Sequence, residues 1–377
     1  MANKNLTNAK KAKNDEFYTQ FSDIQKEVES YLEYDPNTFK GKVVYSNCDD
    51  PFESNFFRYF VLNFNKLGLK QLITTSYKPS PIANMELELI YHQDTVKNST
   101  KSKGRPKVTA NKFIINEVGD VDGDGSFTLE DIAQQLRANK NNEWTPLEGD
   151  GDFMSDECVE LLKQSDIVVT NPPFSLFKEY IKQLFDYNKK FVIIGNMNAI
   201  TYKEVFPKIK ENKMWLGATG NGNDMVFAVP NGIDIAESDR QKAARLGYVG
   251  DYTRLGNSCW FTNLDHGRRH KPLSLMTEID IIKFSAKKPF EKYDNYKALE
   301  VSFVKNIPSD YEGVMGVPIS FLDKYNPEQF EILGATESEG RGFSDGLWNE
   351  SSKVSQPLIG GERVYKRIFI KHKKVKK

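Results

Sequence analysis

The sequence predicts an α/β fold, with a mostly parallel sheet covered by helices on both faces. Three observations predict it. Short apolar and β-branched runs alternate along the chain with segments whose apolar residues recur at helical spacing. One strand–turn–helix unit, at 166–187, is sharper than the rest. With 377 residues, 39% apolar and 12% aromatic, the chain can also bury a core of the size such a fold needs.

In chain order, KVVYS (42–46) reads as a buried strand. A helix follows over SNFFRYFVLNFNKLG (54–68), with Phe56, Phe57, Phe60, Val61 and Phe64 at helical spacing. QLITTS (71–76) is a second strand. ELELIYH (86–92) and KFIINEV (112–118) alternate with period two and suggest a hairpin-like insertion, with a polar loop between them. DIVVT (166–170) is a strand and NPPF (171–174) a rigid turn. SLFKEYIKQLFDY (175–187) is then an amphipathic helix with Leu176, Phe177, Tyr180, Ile181 and Leu184 on one face. FVIIG (191–195), a helix from about Tyr202 to Glu211, and MVFAV (225–229) continue the alternation. Beyond Pro230 the regularity weakens, which places a loose domain boundary near 230.

Composition excludes several classes. No apolar run approaches the roughly 20 residues of a membrane helix, and the start MANKNLTNAKKAKNDEF has no signal-peptide core. Cys48, Cys158 and Cys259 are isolated, so neither a disulfide framework nor a thiolate zinc site is expected, and the chain reads as cytoplasmic. Net charge is zero, 52 basic against 52 acidic residues, but the charges are segregated. Glu117 to Glu160 holds 13 acidic residues against two basic ones, whereas Arg363 to Lys377 holds eight basic residues and no acid. Local density rather than the total decides whether a polyanion binds.

Asn171, Pro172, Pro173 and Phe174 stand at the C-terminal end of a strand, where open α/β sheets place ligands. The prolines fix φ and remove two donors, leaving a stiff segment of carbonyl acceptors. The Asn171 side chain adds another acceptor and Phe174 a flat apolar face. This set suits methylation of an exocyclic amine on a planar base, whose lone pair is delocalised into the ring. Acceptors from the Asn171 side chain and the Pro172 carbonyl can each take one N–H and aim the lone pair at a methyl sulfonium. Phe174 can stack on a base that has left the duplex. The plain alternative is a strand-end turn. RNA bases and the glutamine amide of proteins present a similar planar nitrogen, so RNA-base or protein-glutamine methylation is the rival activity. No Pro-Cys dipeptide occurs, which argues against cytosine C5 chemistry.

DIVVTNPPFSLFKEY (166–180) resembles motif IV of S-adenosylmethionine-dependent amino-methyltransferases. DEFYTQ (15–20), KVVYSNCDDP (42–51), SNFFRYF (54–60), GDGDF (149–153), ITYKEVF (200–206), YDNYKAL (293–299), GVMGVPISFL (313–322) and YNPEQFEI (325–332) are similar, in matching order, to EcoRI-type adenine-specific DNA modification methylases. The resemblance implies a Rossmann-like methyltransferase domain, S-adenosylmethionine as donor and adenine N6 in duplex DNA as acceptor. It places Tyr18 and Thr19 at the methionine end of the cofactor and Asn47, Asp49, Asp50 and Pro51 in the cofactor loop. It puts Asp152 and Phe153 at the cofactor adenine, and Asn171 to Phe174 at the catalytic turn. Two departures stand out: SNCDDPFES lacks the usual glycines, and strand two ends in TTSY without an acidic residue.

The implied organisation is a catalytic domain over 1–230, with an acidic insertion at about 117–150, and an irregular DNA-recognition region over 231–377. Arg268, Arg269 and Lys271 form one basic cluster, and Lys373 and Lys374 belong to a basic tail, KRIFIKHKKVKK (366–377), suited to phosphate contact or else simply solvated. The expected partner is duplex DNA, the expected setting restriction–modification with a cognate endonuclease that shares the site without necessarily touching the enzyme, an orphan methylase being equally consistent, and the expected state a monomer with no membrane association. One motif stands apart: Asp120, Asp122, Asp124, Ser126 and Asp131 match positions 1, 3, 5, 7 and 12 of an EF-hand-like calcium loop, with a solvated acidic turn as the alternative.

Overall fold

The computed structural model describes residues 17–48, 54–77, 110–120, 128–138, 141–220, 225–229, 235–285, 289–336, 343–344, 346–349, 352 and 354–373. The chain forms mixed α/β structure in two compact units. One comprises 1–195 with 224–258, and the other 196–223 with 259–377. Each unit thus takes a segment from either side of residue 230.

In the first unit a short strand, β1 (Tyr18–Thr19), leads into helix α1 (Phe21–Tyr34). Ile24, Val28 and Tyr31 form the buried stripe of α1, and the buried Glu27 accepts the Tyr31 hydroxyl at 2.6 Å. Next come β2 (Val43–Ser46), α2 (Asn55–Leu62), α3 (Phe64–Leu67) and β3 (Gln71–Thr75). The Ser54 hydroxyl caps α2 by accepting from Phe56 N at 3.1 Å. The single helix expected over 54–68 breaks at Asn63, whose side chain donates to Tyr59 O at 2.9 Å, and ends at Gly68 in the left-handed region, φ 62°.

The unit continues with β4 (Asn111–Ile115), α4 (Leu129–Ala138), β5 (Glu143–Pro146), α5 (Asp156–Gln164), β6 (Ile167–Thr170), α6 (Phe177–Asp186) and β7 (Lys190–Asn196). Strands β3, β2, β6 and β7 lie side by side in parallel, and β4 and β5 extend the β3 edge antiparallel. β2 and β6 are buried along their whole length, as central parallel strands must be. Asp166 Oδ2 accepts from Val43 N at 2.8 Å and ties these two strands at their N-terminal ends. Of the expected hairpin, 112–118 supplies β4 while 86–92 lies outside the described residues.

One expectation is corrected. Met225–Ala228 (β8) does not continue the parallel alternation. It pairs antiparallel with β1 and with β9 (Tyr252–Leu255) in a separate three-stranded sheet. An apolar run marks a buried strand without saying which sheet receives it.

The second unit is more regular than its sequence suggests. Trp215–Leu216 pairs antiparallel with Phe261–Thr262. A five-stranded sheet contains β10 (Phe290–Lys292), β11 (Leu299–Val301), β12 (Met315–Pro318), β13 (Phe330–Ala335) and β14 (Arg367–His372), in the order β10-β11-β12-β14-β13. The expected basic tail is therefore a strand over much of its length. β14 lies between two partners with Ile368, Phe369 and Ile370 fully buried, an uninterrupted apolar run of the kind that suits a strand covered on both faces. Arg367 is buried in an ion pair with Glu300, 2.7 Å.

Candidate active site

The parallel strands bring their C-terminal ends to one edge. β2 has β3 on one side and β6 on the other, so the chain connections diverge between β2 and β6, the point at which such sheets form a ligand crevice. Asn47 follows β2 there and Asn171 follows β6.

The NPPF turn is held from both ends. Asn171 and Pro172 are buried, while Pro173 and Phe174 are half-buried. Asn171 Nδ2 donates to Phe17 O at 2.7 Å, which fixes which end of the carboxamide is nitrogen and which is oxygen. The Pro173 carbonyl accepts from Leu176 N at 3.0 Å and starts a 3₁₀ turn, Phe174–Leu176, that runs into α6. The segment that orients Asn171 is itself anchored: Asn55 Nδ2 donates to Thr19 O at 2.7 Å, and β1 pairs with Phe227 and Ala228.

GDGDF folds against the same edge. Gly151 has φ +79°, and a Cβ there would lie 2.0 Å from Ser76 O, just beyond β3, so only glycine fits. Asp152 Oδ1 accepts from Met154 N at 2.8 Å in a tight turn. The Phe153 ring meets Tyr180 of α6 edge-on, centroids 5.0 Å apart, and Gln183 Nε2 donates to Phe153 O at 3.0 Å. Tyr180 donates its hydroxyl to Asn47 Oδ1. Burial pushes the Tyr180 phenol well above its ordinary range.

Thr19, Asn47, Asp152, Phe153 and Asn171 to Phe174 thus belong to one unit, most of them at one strand edge, and Tyr18 is half-buried in β1. Asp49, Asp50 and Pro51 lie outside the described residues. Thr19 Oγ1 and Asn47 Nδ2 are buried with no hydrogen-bond partner among the described residues. Such orphans are expensive unless a polar ligand meets them. A methyl donor rich in oxygen and nitrogen atoms fits that donor set. Phe17, Asn55 and Tyr180 escape motif-level reasoning, since their roles are a backbone carbonyl, a helix-start amide and a hydroxyl on an apolar face.

The basic cluster in the second unit is mostly committed internally. Arg269 is 7% exposed, stacks on Trp215 with 3.6 Å to the ring centroid, and donates to Asp265 at 2.9 Å. Burial pushes the Asp265 carboxyl up, but hydrogen bonds from His270 and Arg269 outweigh it and hold the group below its ordinary value. Arg268 bonds Ala218 O at 2.7 Å and pairs with Asp323. Lys271 and Lys373 are exposed, and Lys374 lies outside the described residues.

Of the calcium-loop residues, Asp122, Asp124 and Ser126 lie outside the described residues. Asp131 Oδ2 accepts from Thr128 N at 2.7 Å and Thr128 Oγ1 at 3.0 Å, a capping arrangement for α4. Among the described residues no group of three or more His, Cys, Asp or Glu side chains could hold a metal ion, so nothing there supports calcium. No helix among them is long and apolar enough to cross a membrane.

Comparison with known proteins gives one consistent result. The family described as adenine-specific methyltransferase EcoRI matches residues 5–373. The chain is 42% identical to the Type II methyltransferase M.EcoRI of Escherichia coli over 376 residues, 100% of this chain and 98% of that protein. It is 36% identical to M.MpnI of Mycoplasma pneumoniae, covering 97% of each. It is 33% identical to M.MgeORF184P of Mycoplasma genitalium, covering 97% of this chain and 98% of that one. No solved structure matches the chain. On a family match over nearly its whole length, the chain belongs to the EcoRI-type adenine-specific methyltransferases.

Proposed function

We propose that the chain transfers a methyl group from S-adenosylmethionine to N6 of adenine at a specific site in duplex DNA. The observation that carries this reading is the NPPF turn at the point where the connections diverge, its Asn171 carboxamide pinned by Phe17 O. We read the parallel core as a Rossmann-like methyltransferase sheet. Thr19, Asn47, Asp152 and Phe153 would hold the donor, joined by Tyr18, Asp49, Asp50 and Pro51 from the matching motifs.

When bound, S-adenosylmethionine supplies an electrophilic methyl group on a sulfonium. The protein's work is orientation. Asn171 Oδ1 and the Pro172 carbonyl accept the two N–H groups of the target amine and hold its lone pair in line. Phe174 stacks on the flipped base, whose extrusion makes N6 reachable. The turn costs no reorganisation during the reaction because two prolines and the Phe17 contact set it beforehand.

Target reading is drawn from the chain beyond residue 230, with Lys271 and Lys373 suited to phosphate and Arg268 and Arg269 bracing the surface that presents them. The setting is cytoplasmic restriction–modification, with the enzyme acting as a monomer beside an endonuclease that shares its site. Transfer of tritiated methyl to duplex DNA, RNA and protein tests the reading. The expected result is label in duplex DNA alone, reduced about 100-fold or more by Asn171→Ala. Preferential labelling of RNA or protein contradicts it.

A further inference from the structure

Tyr180 is the fourth residue of α6, the helix that leaves the NPPF turn, and its side chain is fully buried. Packing accounts for its ring, which meets Phe153 edge-on at 5.0 Å. Phenylalanine would pack the same way, so the hydroxyl needs its own explanation. That hydroxyl donates to Asn47 Oδ1, across 133 residues of sequence and onto the loop that follows β2. Because burial holds the phenol protonated, it remains a donor at any working pH.

A carboxamide has one acceptor end and one donor end. Asn47 is 2% exposed, and its oxygen takes the Tyr180 hydroxyl, with Cys48 Sγ also 3.5 Å away. Its nitrogen must therefore face the other way. Nδ2 is buried there with no partner among the described residues. An amide left so in a dry interior is unfavourable, and the arrangement makes sense if a ligand atom completes it.

We propose that Tyr180 is a positioning residue for the methyl donor, holding the Asn47 carboxamide so that Nδ2 meets an acceptor atom of S-adenosylmethionine. The catalytic turn and the cofactor loop are thereby coupled through one hydroxyl. This rests on the reading above that the loop after β2 binds the cofactor.

The test is equilibrium binding of S-adenosylmethionine to the purified full chain by titration calorimetry, without DNA. The proteins compared are the wild type, Tyr180→Phe, Asn47→Ala and the double variant. Asn47→Ala is expected to weaken binding about tenfold or more, and Tyr180→Phe by about three- to tenfold. In the Asn47→Ala background, Tyr180→Phe should add no further loss, because it acts only through Asn47. Wild-type affinity in Tyr180→Phe with a clear loss in Asn47→Ala overturns the positioning role. Equal losses in both backgrounds overturn it as well. Unchanged affinity in Asn47→Ala instead overturns the assignment of Asn47 to the cofactor. A hydroxyl that serves only folding lowers the unfolding midpoint of Tyr180→Phe and leaves affinity as it was, which overturns the positioning role. Should Tyr180→Phe not fold, Asn47→Asp keeps an acceptor for Tyr180 and replaces the outward donor with a carboxylate oxygen. Wild-type affinity in Asn47→Asp contradicts the donor assignment.

Discussion

Asn171 commits its amide nitrogen to Phe17 O at 2.7 Å, so what it offers a substrate is set before the substrate arrives. Asn171→Asp isolates that contact. The acceptor survives, but an oxygen now opposes the Phe17 carbonyl and the side chain turns away. Turnover should fall at least about tenfold while the KM for DNA changes little, since the contact orients rather than binds. Steady-state kinetics on one duplex check it, and a loss confined to KM counts against the orienting role. His266 makes a different residue-scale prediction. It is buried, with Nε2 3.0 Å from Leu216 O, and burial pushes its pKa down to about 4 from the ordinary 6.5. The unfolded chain then binds a proton that the folded chain refuses. Stability is whole above pH 6.5 and is lost as pH falls toward 4. The loss should reach about 3 kcal/mol. Urea unfolding on both sides of that window should show a smaller acid loss in His266→Gln than in the wild type. Equal losses in both contradict the assignment.

At the scale of elements, β14 changes what the C-terminus is for. Its three apolar residues are fully buried between β12 and β13, and Arg367 pairs with the buried Glu300. Arg367→Ala leaves a buried carboxylate without its partner and should destabilise the second unit by about 3–5 kcal/mol. A denaturant midpoint close to the wild type rules that out. Removing 366–377 should leave the second unit unfolded, whereas removing only 374–377 should not. Short apolar runs and helical spacing made the central elements of the first unit legible, among them β2, β3, β6 and α6, whereas β1, α1, β5 and β9 carried too weak a signal of either kind. The split of the aromatic helix at Asn63 was not legible, because it depends on one side chain bonding Tyr59 O. Nor was β14, since the short run Ile368, Phe369 and Ile370 among lysines reads as a tail suited to phosphate contact or else simply solvated. Only the pairing partners decide.

For the whole molecule, the motifs of the candidate site were more legible in the sequence than the architecture around them. NPPF and GDGDF are local, contiguous and chemically pointed, and the structure sets both at one edge of the first unit. The contacts that orient them come from far along the chain: Phe17 lies 154 residues from Asn171, and Asn47 lies 133 from Tyr180. Such pairings follow from sheet order, which a strand's own composition does not encode. The interleaving of the two units, 1–195 with 224–258 and 196–223 with 259–377, is hidden for the same reason. Of the basic cluster, sequence gave the positions but not their use, because only packing reveals that Arg269 lies on Trp215 and Arg268 against Asp323. The central claim remains that the whole chain modifies adenine N6 at one site in DNA through the Asn171 turn. Long-read sequencing of DNA from cells expressing the wild type or Asn171→Ala tests it most directly. The account predicts N6-methyladenine confined to one short recognition sequence in the first sample and missing from the second. Identical DNA in the two samples, with both proteins folded and binding S-adenosylmethionine, would contradict it.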